Sequence, residues 1–316
     1  MKTYYKSDLL KDAKTFCLKY NKLDIRAPIS AMLYKRNIND LAKASRFATF
    51  YYELGKTLKM KESRLITFIE FIAFIADICH SADDLKDTAK LNKEDSIRRI
   101  QSLLLHYDSM KYYLDKLDLN YDSIKKGFRA GINLFMKEER IKHKKNISDK
   151  DIYNILEIGS PDFQMYNELL AQLIPSLDVR ILNFLRDYAF IDWIIDHISD
   201  LEEDFKNETF NPLIIMLNQR VIEIDKVKLP HLLASHGIFD YFVNLCFIKG
   251  RLALDALSGD DRVSQLVKYY MAGELEGLKL FVKYKYFIDV PERNKIIYLI
   301  LKPHPWEVYK YEGVFS

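Results

Sequence analysis

Two short stretches hold the side chains best suited to chemistry, and both offer carboxylate oxygen. The first is His80-Ser81-Ala82-Asp83-Asp84-Leu85-Lys86-Asp87. On a helix Asp83 and Asp87 are i and i+4, so they share a face with roughly 6 Å between them. Like charges at that spacing repel unless a cation holds them. Hard divalent ions do so through oxygen ligands, and magnesium typically takes one or two carboxylates together with substrate phosphates. Asp84 stands in support. Taken alone, the stretch also reads as a frayed helix end with solvated acids.

The second stretch runs from Asp187 to Phe205 and holds seven acids with no Lys or Arg. With Asp196 at 0° on a helix, Asp192 falls at about −40°, Ser199 at −60°, Asp200 at +40°, Glu203 at −20° and Asp204 at +80°. That is one carboxylate stripe, with Ile194, Ile198, Leu201 and Phe205 opposite. An amphipathic surface helix would show the same stripe, but such helices usually interleave signs. Together, two acidic helices facing each other across a bundle could close a metal site that holds a diphosphate leaving group. Departure of diphosphate leaves a carbocation, which must be kept dry and is stabilised by aromatic faces.

The elements that position these stretches are helices. Ten Gly and eight Pro in 316 residues are about half of average usage, and strand-rich folds need such turn residues every eight to twelve positions. No GxGxxG and no GxxxxGK[ST] occurs, which argues against dinucleotide and P-loop sites. Apolar periodicity predicts helices over Lys6–Tyr20, Ile38–Lys56, Glu62–Asp84, Glu94–Lys116, Tyr121–Glu139, Asp149–Leu156, Asp162–Leu173, Val179–Phe205, Leu213–Leu217, Leu232–Leu257, Val263–Tyr284 and Glu292–Leu301. The run from Leu65 to Ala82 carries two acids and no Lys or Arg, so it belongs to an interior. With no repeat and no linker composition, the expectation is one all-α domain over 1–316.

Forty-eight basic against forty-five acidic residues give a formal net charge of +3, which points to no nucleic-acid partner. The opening MKTYYKSDLLKD has no apolar signal region, and Cys17, Cys79 and Cys246 read as free thiols, so a cytoplasmic protein is expected. Membrane contact is expected to be peripheral at most. One local bias remains: Lys125–Lys150 holds nine basic residues against three acids. An exposed basic loop and a cationic rim over an anionic ligand both fit it. His106, His143, His236 and His304 share no metal-ligand spacing.

The two acidic stretches resemble those of the class I isoprenoid synthase superfamily. Asp83-Asp84-x-x-Asp87 matches the first aspartate-rich motif and its apolar run-up. The second motif fits the terpene-cyclase triad as Asp196, Ser199 and Glu203. It also fits the squalene/phytoene-synthase type as Asp196, Asp200, Glu203 and Asp204, with Asp in place of Asn. Bacterial large terpene synthases similar to tetraprenyl-beta-curcumene synthase share the latter form and a later Leu-Pro-His segment, here Leu229-Pro230-His231. They carry an extra Asp where this chain has His80, and a Trp-rich segment that it lacks.

The resemblance implies an all-α bundle with a central apolar cavity and magnesium, three ions, with manganese as a substitute. The ions would be held by Asp83, Asp87, Asp196, Ser199, Asp200 and Glu203, with Asp84 and Asp204 in support. It implies ionisation of a linear prenyl diphosphate followed by cyclisation or quenching, as in a terpene synthase. Lys206, Arg180, Lys310 and Tyr311 are the diphosphate-binding candidates, with Arg129 behind them. Chain-elongating prenyltransferases carry a GKRxRP segment and an Arg-Arg pair close behind DDxxD. Lys35-Arg36 echoes the former poorly, and Arg98-Arg99 lie too far beyond Asp87. Elongation or head-to-head condensation stays as the alternative, and a non-catalytic lipid- or partner-binding bundle as another class. A homodimer is left open.

Overall fold

The computed structural model describes residues 6–20, 23–35, 41–86, 93–142, 144, 146–158, 160–221, 224, 228–257, 261–287 and 297. Among them there is no strand. The order is α1 (Lys6–Lys19), α2 (Leu23–Tyr34), α3 (Leu41–Thr57), α4 (Glu62–Lys86), α5 (Lys93–Leu117), α6 (Tyr121–Lys142), α7 (Asp149–Leu156), α8 (Pro161–Leu173), α9 (Val179–Ser199), α10 (Leu201–Asn207), α11 (Pro212–Asn218), α12 (Leu229–Ser235), α13 (Ile238–Ala256) and α14 (Arg262–Val282), which ends in a π-helical turn over Lys283–Phe287. No described helix is long and apolar enough to cross a membrane. The chain forms two compact units, one from Met1–Leu117 with Asp261–Ser316, the other from Asp118–Asp260.

In the first unit α4 is the interior element that the sequence predicts. Phe68, Ile69, Phe71, Ile72, Ala73, Ile75 and Ala76 are fully buried, and each large apolar side chain removed from water contributes roughly 1.5–3 kcal/mol. Both α3 and α5 pack on it. Tyr51 meets Phe68 edge-on at 6.2 Å and Tyr113 stacks on Phe71 at 5.6 Å. Glu70, also buried, accepts a hydrogen bond from the Tyr113 hydroxyl at 3.2 Å. α14 returns to α3, where Tyr270 meets Phe50 and bonds Glu53, and Lys19 joins α1 to Glu276 at 2.7 Å.

In the second unit α9 is the buried helix, packed against α13 and α8. Leu185, Ile191, Ile194 and Ile198 are fully buried along it. α6 lies on α8, where Gly127 comes so close to Met165 that an added Cβ would overlap that side chain. α7 starts at a capping box: Ser148 accepts from the Asp151 amide while Asp151 accepts from the Ser148 amide. Bonds from Ser148 and the Lys144 ammonium hold the Asp151 carboxyl down at about 2.

Three elements differ from the sequence expectation. α2 was not among the expected helices; it forms with Pro28 in its interior and packs on α3. The predicted Leu232–Leu257 helix is two helices, α12 and α13, parted at Gly237. Its φ of +68° is a conformation in which glycine carries no Cβ penalty. The predicted Val179–Phe205 helix is also two, α9 and α10. The predicted helix over Glu292–Leu301 lies outside the described residues except for Ile297.

Candidate functional site

The first acidic motif sits at the end of α4. The backbones of Asp83 and Asp84 belong to its last turn; their side chains, and the whole of Asp87, lie outside the described residues. What leads into them is described. Asp77 is 1% exposed, and Ser81, fully enclosed, has a hydroxyl with no hydrogen-bond partner. An interior helix thus delivers its last turn from a dry environment.

The second motif is fully described. Asp192 is buried, Asp196 and Asp200 are half-buried, and Glu203 is exposed. The stripe therefore climbs from the interior to solvent. Acids at i, i+4 with no Lys or Arg interleaved set like charges side by side along the helix. Asp192 was on the predicted stripe but outside the predicted ligand set. Its i−4 spacing from Asp196 was the signal that could have included it.

The break between α9 and α10 falls inside the motif. Asp200 ends α9 with φ −95° and ψ 4°, outside the regular α region. The hydrogen-bond ladder nevertheless continues through it, from Asp200 N to Asp196 O at 2.9 Å and from Asp204 N to Asp200 O at 2.8 Å. The buried Ser199 hydroxyl donates back to the Asp196 carbonyl at 2.8 Å, a local bond that bends helices. The same hydroxyl lies 3.4 Å from Asp200 Oδ1.

Asp204 is committed elsewhere. Its two carboxylate oxygens accept from Thr209 Oγ1 at 2.7 Å and from Asn211 Nδ2 at 2.8 Å. The buried Asn211 amide also donates to the His197 carbonyl at 2.7 Å, and its oxygen caps α11 by accepting from Leu213 N at 3.0 Å. Glu208, with φ +56°, turns the chain between them. His197 packs between Trp193 and Phe210, with Nδ1 3.9 Å from Asp204 Oδ2 and Nε2 buried without a partner. This network ties α10 and α11 to the end of α9. Sequence reasoning did not single out Asn211, whose amide partners stand 14 and 7 residues away in the chain.

The hard oxygen donors here suit magnesium or manganese. Asp196, Ser199, Asp200 and Glu203 follow one another along the stripe, whereas Asp204 is turned into the network. Among the described residues no group of three or more His, Cys, Asp or Glu side chains forms a metal cluster. A cation on this stripe would therefore draw further oxygen from a ligand, as magnesium commonly does.

The basic candidates divide. Lys206 is exposed in the last turn of α10. Arg180 lies in the first turn of α9, bonded to Asp178 through Nε at 2.9 Å. Sixteen residues of helix place it about 24 Å along the axis from Asp196. Lys310 and Tyr311 lie outside the described residues. Most of the basic Lys125–Lys150 segment is helical, on α6, and not a loop.

A second polar cluster went unforeseen. Lys249 of α13 donates to Glu157 at 2.6 Å, stands 3.9 Å from Asp187 and lies over the Phe190 ring at 4.9 Å. Burial lifts the Asp187 carboxyl above its ordinary value, against the pull of Lys249 and Arg186. Burial lowers Lys249 while Glu157 raises it, with a net rise. Asp187 is nine residues from Asp196, about 180° around the helix, so this cluster braces the far face of α9.

No protein-family model and no curated protein matches the sequence. Solved structures do match the fold. A geranylgeranyl pyrophosphate synthetase from the archaeon Geoglobus acetivorans aligns with a TM-score of 0.52 at 13% identity, over 85% of this chain and 98% of its own. A polyprenyl synthase from Caulobacter crescentus CB15, complexed with calcium and isoprenyl diphosphate, aligns with a TM-score of 0.56 at 13% identity, over 85% and 94%. The fold is that of the isoprenoid synthases.

Proposed function

We propose that this chain is an enzyme acting on prenyl diphosphates with divalent metal. The observation that carries the reading is the basic-free carboxylate stripe of α9 and α10, broken at Asp200, within an isoprenoid-synthase fold. Asp196, Ser199, Asp200 and Glu203 would hold magnesium; Asp83 and Asp87 of the first motif, with Asp84 in support, would likewise act as metal ligands. Bound magnesium would neutralise the departing diphosphate. Asp204, expected in support of the metal ligands, would instead anchor α10 through Thr209 and Asn211. Lys206 would meet a phosphate, and an apolar cavity would keep water from the allylic cation.

Two reactions use such a site. The missing arginine signatures behind the first motif favour ionisation and cyclisation of one substrate. The solved relatives, named as polyprenyl and geranylgeranyl pyrophosphate synthases, favour condensation with a second isoprenoid unit. Incubation with farnesyl or geranylgeranyl diphosphate and magnesium, with and without isopentenyl diphosphate, separates them. A product lengthened only when isopentenyl diphosphate is present means elongation; a hydrocarbon or alcohol without it means cyclisation or quenching. Asp83→Ala and Asp200→Ala should each lower diphosphate release at least a hundredfold. Unchanged release in both variants refutes the metal assignment, and ligand retention without turnover refutes the enzyme.

A further inference from the structure

The solvent face of α6 is unusual for a surface helix. Ile132 is 63% exposed, Met136 46% and Tyr121 44%. At 100° per residue these three fall within an arc of about 100° together with exposed Lys125, Arg129 and Arg140. Exposed Lys126 and Lys137 flank the same side, and two acids, Asp122 and Glu139, stand at the two ends of the arc. Glu139 is paired with Lys142 at 3.2 Å. The opposite face, with Ile124, Gly127, Leu134 and Glu138, is buried. α6 therefore packs by one side and presents apolar side chains threaded between cations on the other.

The geometry points to an anionic lipid surface as the occupant of this face. A second copy of the chain would set like charges against each other across a two-fold contact. A polyanion without an apolar phase would leave Ile132, Met136 and Tyr121 in water. A bilayer interface carrying anionic headgroups satisfies both halves: the ammonium and guanidinium groups meet phosphates while the apolar side chains enter the headgroup boundary. The contact lies parallel to the membrane plane and crosses nothing. It needs no prenyl diphosphate and stands apart from the chemistry proposed above.

Sedimentation of the full chain with large vesicles tests it. Binding is expected to vesicles of phosphatidylcholine containing about a third phosphatidylglycerol, weak binding to phosphatidylcholine alone, and release as salt shortens the screening length. Each cation near such a surface is worth about fivefold in partition, so Lys125→Gln/Arg129→Gln/Arg140→Gln should lose roughly a hundredfold. Ile132→Ser/Met136→Ser should weaken binding while leaving its salt dependence in place. All five side chains are exposed, so thermal melts should match the parent; variants that melt normally yet bind like the parent overturn the proposal. So do equal binding to neutral vesicles, no binding at low salt, or a concentration-dependent dimer that both variant sets abolish without vesicles.

Discussion

Asn211→Ala tests how the second motif is held. The substitution removes the acceptor that caps α11, worth about 1 kcal/mol. It also removes an amide donor shared between the Asp204 carboxylate and the His197 carbonyl. A hydrogen bond to a charged group contributes about 1.5–3 kcal/mol and a neutral one about 1 kcal/mol. Asp204 keeps Thr209 and is 17% exposed, so water recovers part of the loss. The expected cost is about 3 kcal/mol, a fall in Tm of roughly 6–12 °C at the 2–4 °C per kcal/mol usual for this size of unit. Asn211→Asp isolates the donor: it retains a capping oxygen but sets a second carboxylate beside Asp204. It should cost at least 2 kcal/mol by the bonds it forfeits. Urea denaturation at pH 7 measures both. If Asn211→Asp lies within about 0.5 kcal/mol of the parent, the residue is merely a helix cap and the network does not position α10.

Three further outcomes follow from the same packing and hydrogen bonds. Burial raises Asp187 above its ordinary value of 3.8, so its contribution to folding is present below that pH and is lost as pH rises through the folded value; Asp187→Asn should therefore flatten the fall in stability toward neutral pH in chemical denaturation series. Asp151 has the opposite sign: held at about 2, it contributes above its ordinary 3.8 and loses that contribution between the two values as the solution is acidified, so Asp151→Asn should remove that acid-limb slope. Gly127→Ala should destabilise by about 1–3 kcal/mol through collision with Met165. Pairing it with Met165→Ala should cost less than the two single changes summed, a coupling that a double-mutant cycle in urea reads directly.

The helical class was legible because it rests on local physics. Scarce turn residues and 3.6-residue periodicity act within a dozen residues, which is why the bounds of α7 match the expectation and α4 is the interior helix its composition demands. Periodicity cannot see a break that keeps the hydrogen-bond ladder intact, so the α9–α10 junction at Asp200 was hidden inside one continuous pattern. Gly237 was similarly silent, because a lone glycine in an apolar run does not announce its φ. α2 was not predicted; it forms around Pro28 and packs on α3.

By itself the sequence determined which side chains could do chemistry and on which stripe of which helix they stand, since spacing along a helix converts directly into angle. Only the tertiary structure decided what each carboxylate is committed to. Asp204 faces Asn211 and Thr209, Asp192 is buried, Asp187 meets Lys249, and Arg180 stands a helix length from Asp196. The physical reason is that burial and hydrogen-bond partners come from elements distant in the chain, whose approach no local pattern encodes.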